Sequence, residues 1–182
     1  DAVQMLIDQE HYVTGAFTDN RLQLTNADDT VEVYDSAGKL ESITDIRGIS
    51  QVLTYDSGKG VLQRVDISTG ESLDFLYNTS NRLSSITDAT GRAWGYHYNA
   101  NGMLEYVDNP DGTTSQYHYE DATYTHALTC ITDENSIQYG TFGYDSQGRA
   151  DLSTHANNTD RIDIVYDDDI TRTVTDSRGN IT

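Results

Sequence analysis

The feature that most constrains the fold of this chain is a tyrosine that returns at a nearly fixed interval. The spacings between successive members are 21, 22, 21, 21, 25 and 22 residues. A sustained period of this length is typical of repeat proteins, in which each unit is one small supersecondary structure. The interval therefore predicts about seven units over residues 31–182, marked by Tyr34, Tyr55, Tyr77, Tyr98, Tyr119, Tyr144 and Tyr166.

Other positions keep the same register. A leucine follows the tyrosine at Leu40, Leu62, Leu83, Leu104 and, after an inserted segment at residues 120–127, Leu128. Three residues later come Ile43, Val65, Ile86, Val107 and Ile131. The eighth residue after the leucine is Gly48, Gly70, Gly91 and Gly112, with Ser136 in the fifth unit. The sixth unit has Ala150 and Asn158 at the leucine and glycine positions, and the seventh restores the pattern at Asp176 and Gly179.

Each unit is predicted to contain two strands and two turns. Before the tyrosine, apolar and polar residues alternate with period two, as in Leu73, Phe75 and Tyr77 with Asp74 between them, which is typical of a strand with one apolar face. Turn-forming residues follow the tyrosine. The return strand carries the Leu-x-x-Ile spacing, which breaks strict alternation and predicts a bulge or a strong twist. An Asp-x-x-Gly segment then makes the second turn.

The predicted fold class is therefore all-β, an extended antiparallel meander with little helix. We expect residues 31–182 to form one continuous sheet and residues 1–30 to be a lead-in segment. Val3, Leu6 and Ile7 in the opening DAVQMLIDQEHY have helical spacing, which predicts a short helix followed by one or two strands. The chain starts at Asp1 without an initiator methionine, and we expect it to be part of a longer protein.

Charge and composition exclude several classes of function. The formal net charge is −19, with 30 acidic and 11 basic residues, and such a surface repels the phosphate backbone of a nucleic acid. No apolar run approaches the roughly 20 residues of a membrane-spanning helix, so membrane insertion is not expected. Cys130 is the single cysteine, which leaves no partner for an intrachain disulfide.

Candidate sites in the sequence have simpler structural explanations. His97 and His118 both precede a repeat tyrosine, yet equivalent strands of successive units should lie roughly 10 Å apart, which is too far for one metal ion. The acidic groups Asp108, Asp111 and residues 167–169 occupy predicted turns and lack the ligand spacing of an EF-hand. Cys130 has no basic neighbour in sequence to activate it. We therefore predict no catalytic, metal or cofactor site.

The tyrosines leave one alternative open. Seven rings spaced along one face could form a platform on which sugars stack. Because the rings end alternating apolar triplets such as Trp94, Tyr96 and Tyr98, we favour a packed face of the sheet. On that interpretation, Tyr98→Ala should destabilise the fold by about 3 kcal/mol, as for a large aromatic in a packed environment.

The motif YDSAGKLESITDIRG, at Tyr34–Gly48, resembles the RHS repeat, also called the YD repeat. The resemblance extends over about residues 22–182, and residues 126–161 are similar to the insertion-bearing portion of bacterial RHS proteins. It implies a long β-sheet that spirals into a hollow shell. In bacterial members, which are polymorphic toxins and toxin-complex components, that shell encloses a C-terminal toxin. Related repeats form the teneurin shell, which acts in adhesion.

The chain contains neither a segment resembling the Asp-Pro-x-Gly motif that ends such shells nor a toxin tail. The resemblance therefore implies a non-catalytic piece of the wall, whose partners are the rest of the parent chain and its enclosed toxin. It also implies a secreted or cell-surface bacterial protein. The alternative is a surface module that binds carbohydrate or an adhesion partner.

Overall fold

A computed structural model of the chain describes residues 6–8, 11–167 and 171–181, and this part of the molecule is all-β. Its strands are β1 Leu6–Asp8, β2 His11–Thr18, β3 Arg21–Thr25, β4 Val31–Tyr34, β5 Leu40–Thr44, β6 Ser50–Tyr55, β7 Leu62–Ile67, β8 Ser72–Tyr77, β9 Leu83–Asp88, β10 Ala93–Tyr98, β11 Leu104–Asp108, β12 Thr114–His118, β13 Cys130–Thr132, β14 Gln138–Tyr144, β15 Ala150–His155, β16 Ile162–Tyr166 and β17 Arg172–Asp176. Within the described ranges, the helical structure is one 3-10 turn at Ala156–Asn158, and no helix there is long and apolar enough to cross a membrane.

The chain divides into two compact units, residues 1–93 and 94–182. In the first unit, each strand from β1 to β9 pairs antiparallel with the next strand in sequence. In the second unit, the strands from β10 to β17 pair in the same way. The predicted all-β antiparallel meander is therefore confirmed. Its curvature and the continuity of residues 31–182 as one sheet stay predictions.

Strand register separates an apolar face of the sheet from a polar one. Leu53 lies opposite Val65, and Val65 lies opposite Leu73, so apolar side chains of successive strands align as cross-strand neighbours. On the other face, Arg64 lies opposite Asp74 and their side chains form an ion pair at 2.7 Å. The alternation of apolar and polar residues along each strand thus produces two chemically distinct faces of the sheet.

Burial within this sheet is shallow. Among the described residues, Val107 is the one buried apolar side chain, with 9% of its surface exposed. Most other strand residues are half-buried, and all six residues of β9 belong to this class. A repeat unit of this kind obtains much of its stability from neighbouring strands.

The start of the chain differs from the predicted short helix. Residues 6–8 and 11–18 are strands, and Leu6, Ile7 and Asp8 lie opposite Val13, Tyr12 and His11. Pairing between these strands provides hydrogen-bond partners for their backbone groups and overrides a weak helical spacing. Residues 1–5 and 9–10, where the rest of the predicted helix would be, lie outside the described residues. The lead-in strands are present as β2 and β3.

Candidate functional site

The repeat tyrosines lie at or beside the ends of the forward strands, and all of them are half-buried. Six are the last residue of β4, β6, β8, β10, β14 or β16, and Tyr119 directly follows β12. The residue at the repeat leucine position is the first residue of β5, β7, β9, β11 and β15, and Leu128 lies two residues before β13. The repeat tyrosines and leucines therefore lie where the return strand of one two-strand unit is next to the forward strand of the following unit. We call this place a junction.

In five of the described return strands a bulge follows the residue at the leucine position, which is Ala150 in one of them. Tyr34 lies opposite Leu40 while Val33 lies opposite Ser42, so Glu41 is the extra residue. The same shift occurs at Tyr55, Tyr77, Tyr98 and Tyr144. The bulge predicted from the Leu-x-x-Ile spacing is confirmed, because one additional residue on the return strand restores the alignment of its apolar side chains.

Tyrosine hydroxyls connect consecutive units. Tyr55 Oη donates a hydrogen bond of 2.9 Å to the backbone carbonyl of Leu40, in the preceding unit. Tyr144 Oη donates in the same way to the Leu128 carbonyl at 2.9 Å, and Tyr166 Oη donates to the Ala150 carbonyl at 2.8 Å. Paired register between β5 and β6 extends only to Ser42 and Val52. The hydroxyl therefore provides a partner for a carbonyl that the next strand does not reach.

Cations cover two of these rings. Lys39 Nζ lies 4.9 Å from the centroid of the Tyr55 ring and donates a 2.9 Å hydrogen bond to the Gly60 carbonyl. The Arg149 guanidinium lies 3.9 Å from the centroid of Tyr166. Both cations immediately precede the residue at the leucine position. Such contacts are cation–π interactions across a junction.

Turn aspartates and asparagines act as backbone acceptors. Asp45 Oδ1 accepts hydrogen bonds from the backbone N–H groups of Arg47 and Ile49, both at 2.9 Å. Asn78 and Asn99 make the same pair of bonds, to the second and fourth residues after them. This is the side-chain-to-backbone bonding that favours Asp and Asn in turns. Asparagine at these positions therefore preserves the turn.

Hydrogen bonding to these carboxylates lowers their pKa. The Thr90 hydroxyl, at 2.7 Å, is the main contributor for Asp88, and with Arg92 and two backbone N–H groups it lowers the pKa of Asp88 to about 2. The side chain and backbone of Arg47 and the backbone N–H of Ile49 lower the pKa of Asp45. The folded turns therefore stabilise these aspartates in their ionised form.

The glycine position of the repeat is a left-handed backbone position. Gly48 has φ of +82°, a conformation that glycine adopts without steric cost. Ser136 and Asn158, which the register places there in the fifth and sixth units, have φ of +61° and +62°. The remaining repeat glycines share the positive φ, at Gly70, Gly91 and Gly112.

The two histidines are not brought together. His97 Nε2 lies 2.9 Å from Asp108 Oδ2, and its ring stacks on Tyr106 at 4.1 Å between centroids. His118 Nε2 lies 2.8 Å from Thr132 Oγ1. In register, His97 is aligned through Tyr106 with Gln116, two residues away from His118. In the described part of the chain, His, Cys, Asp and Glu form no group of three suited to a metal ion.

The other candidate residues also have structural contacts. Asp111 accepts hydrogen bonds from the Thr113 hydroxyl and backbone N–H, and these bonds lower its pKa. Asp167 accepts a 2.7 Å hydrogen bond from Thr173 Oγ1, whereas residues 168–169 lie outside the described residues. Burial raises the pKa of the Cys130 thiol, which opposes the formation of a reactive thiolate.

The sequence pattern did not predict a contact between the inserted segment and the next turn. Tyr124, in the inserted segment, donates a 2.6 Å hydrogen bond from Oη to the Ser146 carbonyl in the next turn. A Cβ added to Gly148 would lie only 2.8 Å from the Tyr124 ring. The insertion therefore packs on the turn between β14 and β15. An aromatic residue inside an otherwise polar insertion was the available signal.

Two of the cavities formed by the described residues involve repeat tyrosines. One, of about 400 Å³, lies in the first unit and is largely apolar, with Leu22, Leu24 and Tyr34 in its lining. The other, of about 370 Å³, lies in the second unit at the junction of β11 and β12. Its lining is mostly polar and includes Glu105, Gln116, His118 and Glu120.

This arrangement of two-strand units joined at repeated junctions defines an antiparallel β-repeat protein. Within it, residues 77–114 match the family model of the RHS repeat, which confirms the resemblance over these residues. A comparison with curated protein sequences finds no significant match.

Solved structures show the same fold. A TcdB2-TccC3-Cdc42 crystal structure is 19% identical with a TM-score of 0.62, over 91% of this chain and 10% of that chain. A TcdB2-TccC3-TEV crystal structure is 16% identical with a TM-score of 0.58, over 92% and 12%. The Tc holotoxin pore of Photorhabdus luminescens with the TccC3-D651A mutation is 14% identical with a TM-score of 0.50, over 98% and 13%. The chain thus spans roughly a tenth of the length of these proteins.

Proposed function

We propose that the chain is a non-catalytic structural segment of an RHS shell, which encapsulates or displays a C-terminal toxin or effector of its parent protein. The observation that carries this proposal is the use of the repeat residues. Tyr55, Tyr144 and Tyr166 bond to the backbone of the preceding unit, and the turn carboxylates bond to their own turns. The chemistry that recurs in the sequence is thereby used to hold a sheet together.

The RHS-repeat match at residues 77–114 and the fold shared with the Tc toxin structures support this role. On this proposal the partners are the rest of the parent chain and its enclosed toxin. The parent protein is bacterial and is secreted or exposed at the cell surface. The chain itself contributes a wall and no chemical step.

The test uses the parent protein, digested with trypsin under native conditions and followed by mass spectrometry. We expect the segment C-terminal to the repeats to resist digestion in the wild type. It should become sensitive when the junctions are weakened by Tyr55→Phe and Tyr166→Phe together. If the segment is digested rapidly in the wild type, at the same rate as in the variant, encapsulation by this wall is excluded.

A carbohydrate-binding or adhesion module is the second candidate. The observation that favours it is Tyr139, which is 53% exposed and contacts the His155 ring at 5.0 Å between centroids, so an aromatic face is available at the surface. The cations over Tyr55 and Tyr166 argue against a platform made of the repeat tyrosines. A glycan array with the wild type and Tyr139→Ala distinguishes the two: selective binding that is lost in the variant supports this candidate.

A further inference from the structure

The turn between β10 and β11 contains an asparagine followed directly by a glycine, Asn101–Gly102, and the sequence has no other such pair. Asparagine is a chemically labile residue, because the backbone nitrogen of the next residue can attack its side-chain carbonyl carbon and close a succinimide ring. Glycine permits this attack most readily, since it has no Cβ to obstruct the approach. The pair therefore combines an amide that can be lost with the nitrogen that displaces it.

In the folded turn the attacking nitrogen is already engaged. The Gly102 N–H donates a hydrogen bond of 2.8 Å to the Asn99 carbonyl. The Asn99 side chain holds the same turn, because its Oδ1 accepts hydrogen bonds from the backbone N–H groups of Asn101 and Met103, both at 3.0 Å. Attack requires the Gly102 nitrogen to lose its proton and approach the Asn101 side chain, so its bond to the Asn99 carbonyl has to break first.

The side chain under attack is unrestrained. Asn101 is exposed, and its side chain forms no hydrogen bond within the described part of the chain. The acidic pair Asp111–Gly112 differs in this respect, because Asp111 Oδ1 accepts hydrogen bonds from the Thr113 backbone N–H at 3.0 Å and from the Thr113 hydroxyl at 2.7 Å. A carboxylate held in its ionised form is a poor target for a nucleophile, whereas the Asn101 amide is neutral.

We propose that Asn101 is a site of spontaneous deamidation, and that the hydrogen bonds of Asn99 control its rate in the folded chain. The Gly102 nitrogen loses its proton to water and bonds to Cγ of Asn101, the Cγ–Nδ2 bond breaks, and the amide nitrogen takes up a proton and leaves as ammonia. Water then opens the succinimide at one of its two carbonyl carbons. The net change is one water consumed and one ammonia released, without oxidation or reduction. The site does not depend on the proposed role as a shell wall.

The two products differ in the length of their backbone. Opening at Cγ gives an ordinary aspartate, whereas opening at the backbone carbonyl carbon of residue 101 gives isoaspartate, in which the main chain runs through the former side chain and gains one carbon. That carbon separates the N–H groups of residues 101 and 102, so the turn cannot keep both of their bonds to Asn99. The pairing of Tyr98 with Leu104, which this turn connects, is then lost. We expect isoaspartate to accumulate in chains whose β10–β11 hairpin is open.

The experiment incubates the intact chain at mildly alkaline pH with and without urea, and follows the chymotryptic peptide that contains Asn101 by chromatography and mass spectrometry. We expect deamidation in urea and a rate at least about tenfold lower in the folded chain, because the reaction there needs the turn to open. Asn135–Ser136, at the same place in the turn before β14, should react more slowly than Asn101 in urea. Equal rates at Asn101 with and without urea would overturn control by the turn, and no deamidation in urea would exclude the site.

Variants separate the turn from the reactive pair. Asn99→Ala removes the acceptor of two backbone hydrogen bonds and should accelerate deamidation in the folded chain about fivefold, as expected for bonds of ordinary strength. Asn99→Asp keeps a side-chain acceptor, as Asp45 does in its own turn, and should react at a rate close to that of the wild type. In urea the three proteins should react equally, since no turn is present. Asn101→Gln should abolish the reaction, because a longer side chain closes the ring much more slowly.

The folded Asn99→Ala variant decides the role of the turn. A rate equal to that of the wild type, in a variant that circular dichroism shows to be folded, would contradict control by Asn99. Should this variant fail to fold, hydrogen exchange of the Gly102 amide in the wild type gives the second measurement, since it reports opening of the same hydrogen bond. A Gly102 amide protected from exchange, together with deamidation at the rate seen in urea, would overturn the proposal.

Discussion

A repeat tyrosine contributes a ring and a hydroxyl, and the two act on different partners. The ring aligns with the apolar face of its own unit, while the hydroxyl of Tyr55 bonds to the Leu40 carbonyl one unit earlier. The alternation of apolar residues predicted the position of the ring. The hydroxyl bond could not be predicted, because it depends on where pairing between β5 and β6 ends, and sequence spacing does not define that point.

Tyr55→Phe separates the hydroxyl from the ring. We expect a loss of about 1 kcal/mol in the free energy of unfolding, because the Leu40 carbonyl loses its hydrogen-bond donor while the ring remains. Urea denaturation followed by circular dichroism measures the loss. The control is Tyr139→Phe, whose hydroxyl has no hydrogen-bond partner among the described residues. An equal effect of the two substitutions would contradict the junction bond.

Tyr98→Ala removes a whole side chain, and its effect stays a prediction. The ring is half-buried, so the loss should fall at the lower end of the range for large aromatic residues, about 3 kcal/mol. Thermal denaturation checks this value. A melting temperature equal to that of the wild type would show that the ring is not packed.

At the scale of the element, many turns combine an Asp or Asn side-chain acceptor with a left-handed residue three positions later, as Asp45 does with Gly48 and Asn99 with Gly102. The sequence predicted the turns themselves, because Asp, Asn and Gly have local conformational preferences that operate without tertiary contacts. Its register also aligned Ser136 and Asn158 with the repeat glycine, and both have positive φ. By contrast, the short helix at the start was wrong at residues 6–8 and 11–12, where pairing with another strand decided the structure.

Acidification should destabilise the chain between about pH 4 and pH 2. The pKa of Asp88 is about 2 in the folded state and 3.8 without its partners. Since the unfolded chain takes up the proton first, the stabilisation is fully present above pH 4 and is lost as the pH falls through the folded pKa. Melting temperatures measured from pH 5 to pH 2 check this expectation.

Asp88→Asn is the matched variant for the pH experiment. An asparagine retains the oxygen acceptor, as Asn78 and Asn99 do, but does not titrate. The variant should lose less stability than the wild type between pH 4 and pH 2. A decline identical to that of the wild type would mean that Asp88 does not contribute.

The inserted segment can be tested through Gly148. This residue has φ of +77°, and a Cβ there would meet the Tyr124 ring at 2.8 Å, whereas Gly179 has φ of +82° and open space around it. Both Gly→Ala substitutions should cost about 1 kcal/mol for the backbone conformation. Gly148→Ala should cost more, because it also displaces Tyr124. Equal losses in urea denaturation would exclude the packing of the insertion on this turn.

At the scale of the whole molecule, shallow burial should be visible in the heat capacity of unfolding. Globular proteins show about 12–15 cal/mol/K per residue, mainly because unfolding exposes apolar surface. With Val107 as the buried apolar side chain of the described residues, the value for this chain should lie clearly below that range. Differential scanning calorimetry measures it, and a value within the globular range would contradict shallow burial of apolar side chains.

The hydroxyl bond between units has a consequence for how such a chain can change in length. The donor follows its acceptor by 15 residues at Tyr55 and by 16 at Tyr144 and Tyr166, so each of these hydrogen bonds is completed within a short stretch of sequence. Gene duplication or deletion of one whole period recreates the same donor and acceptor at the new boundary. A partial period leaves a carbonyl without its tyrosine. The number of repeats can therefore change during evolution by whole periods, because each such change keeps the hydrogen bond between neighbouring units.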